Sequence, residues 1–195
     1  MQSCSYKIRY DHERLHDLTY ECPENALSSG SLCKFHDSGY ALAHPEEIME
    51  SLHQMINQKV DDVTQLLCIG FNIPTDLHIN FLFFKNHVYF GHATFHDVVD
   101  LSWSNFDEKS TADFNNATFK KRATFSSATF NNEANFSSVI FNGGIQFKHA
   151  TFDNEATFIL STFNSEASFH YTNFKSANFH SSKFNSEVNF SAVFL

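Results

Sequence analysis

One side chain recurs along this chain at an interval too short for helices and too regular for ordinary hairpins. From Phe114 onward, phenylalanine stands at 114, 119, 125, 130, 136, 141, 147, 152, 158, 163, 169, 174, 179, 184 and 190, so the interval mostly alternates between five and six. Upstream the same frame runs through Phe106, Leu101, Phe95, Phe90, Phe84 and Ile79, and downstream it takes Leu195, giving 22 units, 19 of them centred on Phe. The position two before each centre is an independent test. It holds only small or aliphatic residues, among them Ala112, Ala117, Ala123, Ala128, Ala134, Val139, Ile145, Ala150, Ser161 and Val188. The residue between the two is mostly Thr, Asn, Asp or Ser, and polar residues follow the centre. An apolar pair at period two, repeated every five or six residues, describes a chain that turns a corner at each unit.

The recurring words Ala117-Thr118-Phe119, Ala123-Thr124-Phe125, Ala128-Thr129-Phe130, Ala150-Thr151-Phe152 and Ala156-Thr157-Phe158 resemble the Ala-(Asn/Asp/Thr)-(Leu/Phe)-x-x unit of pentapeptide-repeat proteins. The resemblance covers residues 77–195 and implies an all-β solenoid: a right-handed, quadrilateral parallel β-helix with four units per coil. The 22 units then make about 5–6 coils, a rod about 26 Å long at about 4.8 Å per coil. Physics agrees. Phe and the small residue two before it point to the same side, and rings stacked coil on coil bury about 150 Å² each, about 4 kcal/mol before entropy is counted.

Three irregularities carry expectations of their own. The interval from Phe106 to Phe114 is eight, so Asp107-Glu108-Lys109-Ser110-Thr111 should bulge out as a loop. Three intervals of five between Phe169 and Phe184 should shift the six-residue corners by one face. The repeat runs in frame to Leu195 with no polar cap, which leads us to expect either a homodimer through the carboxyl-terminal end or a natural chain that continues.

The amino-terminal part reads differently. Cys4, Cys22, Cys33 and His36 form the pattern C-x17-C-x10-C-x2-H, and three thiolates with one imidazole suit a closed tetrahedral Zn²⁺ site. The spacing resembles small Cys3His zinc motifs that precede pentapeptide repeats in some archaeal and bacterial proteins. Cys4 is separated by the longest gap, and His12 and His16 are alternatives to it. Disulfides or unconnected thiols are the competing reading, and the cytoplasmic location we expect disfavours disulfides. Cys68, in Leu66-Leu67-Cys68-Ile69, reads as a buried core thiol. Pro45-Glu46-Glu47 opens a helix, and Ile48, Leu52, Met55, Ile56, Val60, Val63 and Leu67 give it an apolar stripe suited to capping the solenoid near Ile79 and Phe84. The expected organisation is thus a zinc module at 1–44, a capping helix and linker at 45–76, with Phe71 to Pro74 as the link, and the repeat β-helix at 77–195.

Charge separates the functional readings. The formal net charge is −9. Residues 1–76 carry 12 acidic and 5 basic side chains, whereas 77–195 carry 10 and 8, so the solenoid itself holds only −2. The resemblance brings with it DNA mimicry toward a type II topoisomerase, which requires a strongly negative rod. A nearly neutral rod bearing Lys120-Lys121-Arg122 disfavours it, and inhibition of gyrase supercoiling at stoichiometric protein is the result that would revive it. The acidic total also argues against direct nucleic-acid binding. No apolar run of membrane-spanning length and no signal peptide is apparent. No nucleophile triad, phosphate-binding glycine loop or dinucleotide fingerprint occurs; His87, His92 and His96 fall on different faces or corners, and Glu133, Glu155, Glu166 and Glu187 mark solvated corners. The reading is a non-enzymatic scaffold for an unknown protein partner.

Overall fold

The computed structural model of the chain describes residues 2–10, 18–28, 30–61 and 65–194. The amino-terminal part opens with β1 (Lys7–Tyr10) paired antiparallel with β2 (Leu18–Glu21). A short helix α1 (Ser38–Ala43), which the sequence pattern does not signal, is capped by Asp37, whose carboxylate accepts from Tyr40 N at 2.9 Å. Helix α2 spans Pro45–Asp61 and begins at the expected Pro-Glu-Glu. It buries Ile48, Met49, Leu52 and Ile56 in a core shared with the solenoid. Val63 lies outside the described residues.

The solenoid is parallel, four-faced and about six coils long. Its first coil is formed by β3 (Leu66–Leu67), β4 (Asn72–Ile73), β5 (Leu77–His78) and β6 (Phe83–Phe84). Each pairs with the strand one coil on: Leu66 with Val88, Asn72 with Thr94, Leu77 with Val99 and Phe83 with Asn105. The ladders therefore begin at Leu66, ahead of the start at 77 that the Phe rhythm indicates. The reason is local: the first two centres are Cys68 and Ile73, so the segment expected to be a linker is half a coil.

Four columns of centres fill the interior. The first runs from Cys68 through Phe90 to Phe179, the second from Ile73 to Phe184, the third from Ile79 to Phe190 and the fourth from Phe84 to Phe174. Successive rings in the second column lie parallel at 4.5–5.1 Å, and those in the fourth at 4.6–4.9 Å. Rings of the first and third columns meet edge to face across the interior, as Phe125 does with Phe136 at 5.4 Å and 84°, an arrangement favoured by the aromatic quadrupole. From the second coil on, every Ala at the companion position from Ala93 through Ala167 is buried beside them.

The corners explain the alternating intervals. After the first and third columns, the residue two beyond the centre has positive φ in every described coil: Gly70, His92, Asn116, Ser138, Leu160 and Ser181 on one corner, and Phe81, Trp103, Ser127, His149, Tyr171 and Ala192 on the other. Most of these corners close with an amide bonded to the carbonyl three residues back, such as Ala117 N to Phe114 O at 2.9 Å, the form of a type II turn. These are the five-residue corners. Corners after the second and fourth columns contain no left-handed residue and take six residues, except after Phe106 and Phe174. Where the inner companion is Ser or Thr instead of Ala, its hydroxyl donates to a carbonyl of the previous coil, as Ser161 Oγ does to Phe136 O at 2.5 Å and Thr172 Oγ1 to Phe147 O at 2.8 Å. Gly143 sits where any Cβ would overlap the main chain of Lys121.

Two expectations about irregular units are corrected. The extra residues before Phe114 do not form a protruding five-residue loop: Ser110 and Thr111 are buried, Ser110 Oγ donates to Asn86 O at 2.6 Å, and only Glu108 and Lys109 project. Nor does the short interval before Phe179 shift the corners. Strand Asn173–Asn178 runs straight around the corner beside Thr151–Thr157, and a bulge absorbs the missing residue so that Glu155 pairs with Ser176 and Ala156 with Ala177. Glu166 and Glu187 stay on one corner.

Candidate metal centre

The hairpin solves the long spacing between the first two cysteines. Pairing of β1 with β2 brings Cys4 and Cys22 to the same end of the ladder, and Cys22 N donates to Tyr6 O at 3.1 Å. The turn around Gly30 returns the chain to Cys33, and a helical turn with His36 N on Cys33 O at 3.1 Å presents His36 beside it. Cys4, Cys22, Cys33 and His36 are all buried, with their ligand atoms within 4.8 Å of one another. His12 and His16 lie outside the described residues. Cys68 is buried away from this group, in the first central column.

The spacing of the donors fits a tetrahedral ion. Zn–S of about 2.3 Å and Zn–N of about 2.1 Å put the donor atoms of a tetrahedron about 3.5–3.8 Å apart. Cys22 Sγ and Cys33 Sγ are 3.7 Å apart, Cys4 Sγ and His36 Nδ1 3.6 Å, and Cys33 Sγ and His36 Nδ1 a tighter 3.1 Å. Burial pushes the Cys22 and Cys33 thiols above their ordinary range and holds His36 below its own. In this setting the thiols stay protonated unless a cation stands among them to stabilise the thiolates.

Four contacts that sequence spacing does not reveal fix the group, three of them to the solenoid. His36 Nε2 lies 2.9 Å from Ile69 O, leaving Nδ1 for the centre, as metal-ligating imidazoles require. Tyr6 stacks on the His36 ring at 3.8 Å and 7°. Phe35 stacks on Phe71 at 4.3 Å and 2°. Asn72 N donates to Phe35 O at 2.8 Å, continuing downward the ladder in which Thr94 N donates to Phe71 O. The Cys-Lys-Phe-His segment thus serves as a partial coil beneath the first one. The available signal was Leu66-Leu67-Cys68-Ile69-Gly70-Phe71, a repeat unit with Cys at its centre.

The arrangement is closed. With four protein donors no coordination position is left for substrate or water, so the chemistry available to such a centre is structural. Elsewhere, among the described residues, no other group of three or more His, Cys, Asp or Glu side chains is placed to share an ion, and no described helix is long and apolar enough to cross a membrane.

Residues 105–151 match the family model for pentapeptide repeats (nine copies). The same square parallel coil continues on both sides of the matched segment, making the repeat region a pentapeptide-repeat β-solenoid. No curated protein and no solved structure matches the chain.

Proposed function

We propose that the protein is a non-catalytic interaction scaffold in which a zinc ion held by Cys4, Cys22, Cys33 and His36 locks a cap onto one end of a repeat solenoid, and the outer faces present a surface to a protein partner. One observation carries this reading. Among the described residues, the only cluster of ligand-type side chains that could share an ion is buried and tied to the first coil, while the interior is dominated by Phe, Ala and aliphatic side chains. What remains for work is the outside. The charge distribution supports a protein over DNA mimicry, since Lys120, Lys121 and Arg122 stand exposed on a nearly neutral rod. A homodimer through the carboxyl-terminal coil, where Phe190 and Phe194 are 42% and 58% exposed, belongs to the same proposal; a monomeric mass by light scattering removes it.

Two measurements test the reading. Metal analysis of purified protein should give one zinc per chain, and zinc-free protein with an ordered cap removes the clamp. Affinity capture from source-cell lysate, followed by reconstitution with each purified candidate, should yield a saturable protein complex; binding of none removes the scaffold.

A further inference from the structure

Three large apolar side chains near the capped end of the rod are exposed: Phe81 by 69%, Trp103 by 61% and Phe83 by 44%. Phe81 and Trp103, with Tyr171 three coils beyond Trp103, are also the large aromatic residues held at positive φ, at 58°, 62° and 55°. That conformation is costly for an aromatic L-residue; the same corner elsewhere holds Ser127, Ala192 and a second stacked pair, His149 and Tyr171, at 5.1 Å, so it is the surrounding charge that sets the first pair apart. Their rings lie one above the other, parallel within 4° and 6.2 Å apart. Exposure, strain and alignment at one place are the marks of a surface kept for contact.

Charge says what kind of contact. From Leu77 to Lys109 the chain carries Asp97, Asp100, Asp107 and Glu108 against Lys85 and Lys109, a net of −2, whereas residues 110–195 carry six of each sign. The solenoid's whole negative excess therefore lies in the two coils that hold the exposed rings. On the third face, register sets Asp100 beside His78, one corner back from Trp103 and Phe81. Aromatic faces rimmed by carboxylates attract cations, and a planar guanidinium stacks on such rings better than an ammonium does.

We propose that the Phe81–Trp103 corner is the docking site for an arginine-rich segment of a protein partner. The guanidinium groups stack on the two rings and pair with Asp97 and Asp100, and the −7 of the amino-terminal part adds long-range attraction. This rests on the scaffold reading and specifies one surface of it.

Trp103 is the only tryptophan, so the emission of the zinc-loaded full chain reports on this corner directly. Titration with hexa-arginine should give a saturable change in emission, weakened by raising the salt from about 50 to about 300 mM. Phe81→Ser, which keeps every charge and relieves a strained position, should weaken binding about two- to fivefold, as expected for loss of one exposed cation–π contact; Asp97→Asn with Asp100→Asn should weaken it about tenfold. A flat titration, an equal response to a Gly-Ser peptide, or Phe81→Ser binding as well as wild type would each overturn the proposal. Emission that depends on protein concentration alone would overturn it in favour of self-association. None of these outcomes affects a partner reconstituted on another face.

Discussion

His36 Nε2 lies 2.9 Å from the carbonyl oxygen of Ile69, so the one nitrogen donor of the cysteine cluster is bonded directly to the first coil of the solenoid. Ile69 follows the centre Cys68 and precedes Gly70, whose left-handed turn carries the chain to Phe71. The cluster and the rod are thus one hydrogen-bonded unit. Order in one should be sensed by the other.

Loading the centre should release protons. Burial raises the Cys22 and Cys33 thiols, so in metal-free protein they are protonated at neutral pH, and ordinary thiols are largely so as well. Zinc binds thiolates, and about three protons should leave per ion, making affinity rise with pH and fall on acidification. Titration of metal-free protein with zinc in weakly buffered solution containing a pH indicator measures this directly. Release of fewer than one proton would show that the thiols are not ligands.

Metal removal should open the cap without melting the rod. Amide exchange is expected to accelerate around Cys33–Asp37 and at Ile69 and Asn72, while Phe136 and Phe147, buried between stacked rings, keep their protection. Uniform acceleration through all coils would mean that the solenoid has no stability of its own.

Gly70→Ala should loosen the same junction. Gly70 has φ +72°, and a Cβ there would overlap the Tyr6 phenol that stacks on His36. The left-handed backbone alone costs about 1 kcal/mol, and displacement of the phenol brings the total to about 2–3 kcal/mol. Pairing it with Tyr6→Ala should remove the steric part, so a double-mutant cycle by chemical denaturation ought to show favourable coupling. Additivity would place Tyr6 elsewhere.

The rod was legible because its rule is repeated: a ring, a small residue two before it, and a corner. Where the residues break that rule, legibility failed for physical reasons. Cys68 and Ile73 fill centres without being Phe, which hid half a coil, and Gly70 is the αL residue of that hidden unit. The short interval before Phe179 looked like a shift of frame because spacing alone cannot show a bulge that restores register one residue later. That Cys4, Cys22, Cys33 and His36 come together could be read from residue type and spacing. Their supports could not: Tyr6 reaches His36 only through the hairpin, and Ile69 contributes a main-chain oxygen that leaves no trace in side-chain chemistry.

Core truncations should be graded by position along the axis. Phe136 is fully buried, with Phe114 and Phe158 stacked on either side at 5.1 Å each. Phe136→Ala should cost about 3–5 kcal/mol. Phe190 has one stacked neighbour within its own chain, Phe169 at 4.9 Å, and is 42% exposed there; in monomeric protein Phe190→Ala should cost less than half as much. Equal losses by chemical denaturation would show that the terminal coil is as tightly held as the middle one, against the nearest-neighbour behaviour of solenoids.

Trp103→Asn should stabilise the protein. The indole gives up little on removal because it is 61% exposed, and its backbone sits at φ 62°, where Asn is among the few residues accommodated at low cost. Relief of about 1 kcal/mol corresponds to a rise of about 2–4 °C in Tm for a chain of this size. The same logic predicts a gain for Phe81→Asn and none for Ser127→Asn, which starts from a small polar residue in the same conformation. Scanning calorimetry of the three zinc-loaded variants decides the matter. If Trp103→Asn and Phe81→Asn lower Tm, the exposed rings are part of the stabilising structure, and their strain needs no partner to account for it. If they raise it, the chain carries two destabilising aromatic residues on its surface, in the coils where its acidic side chains gather.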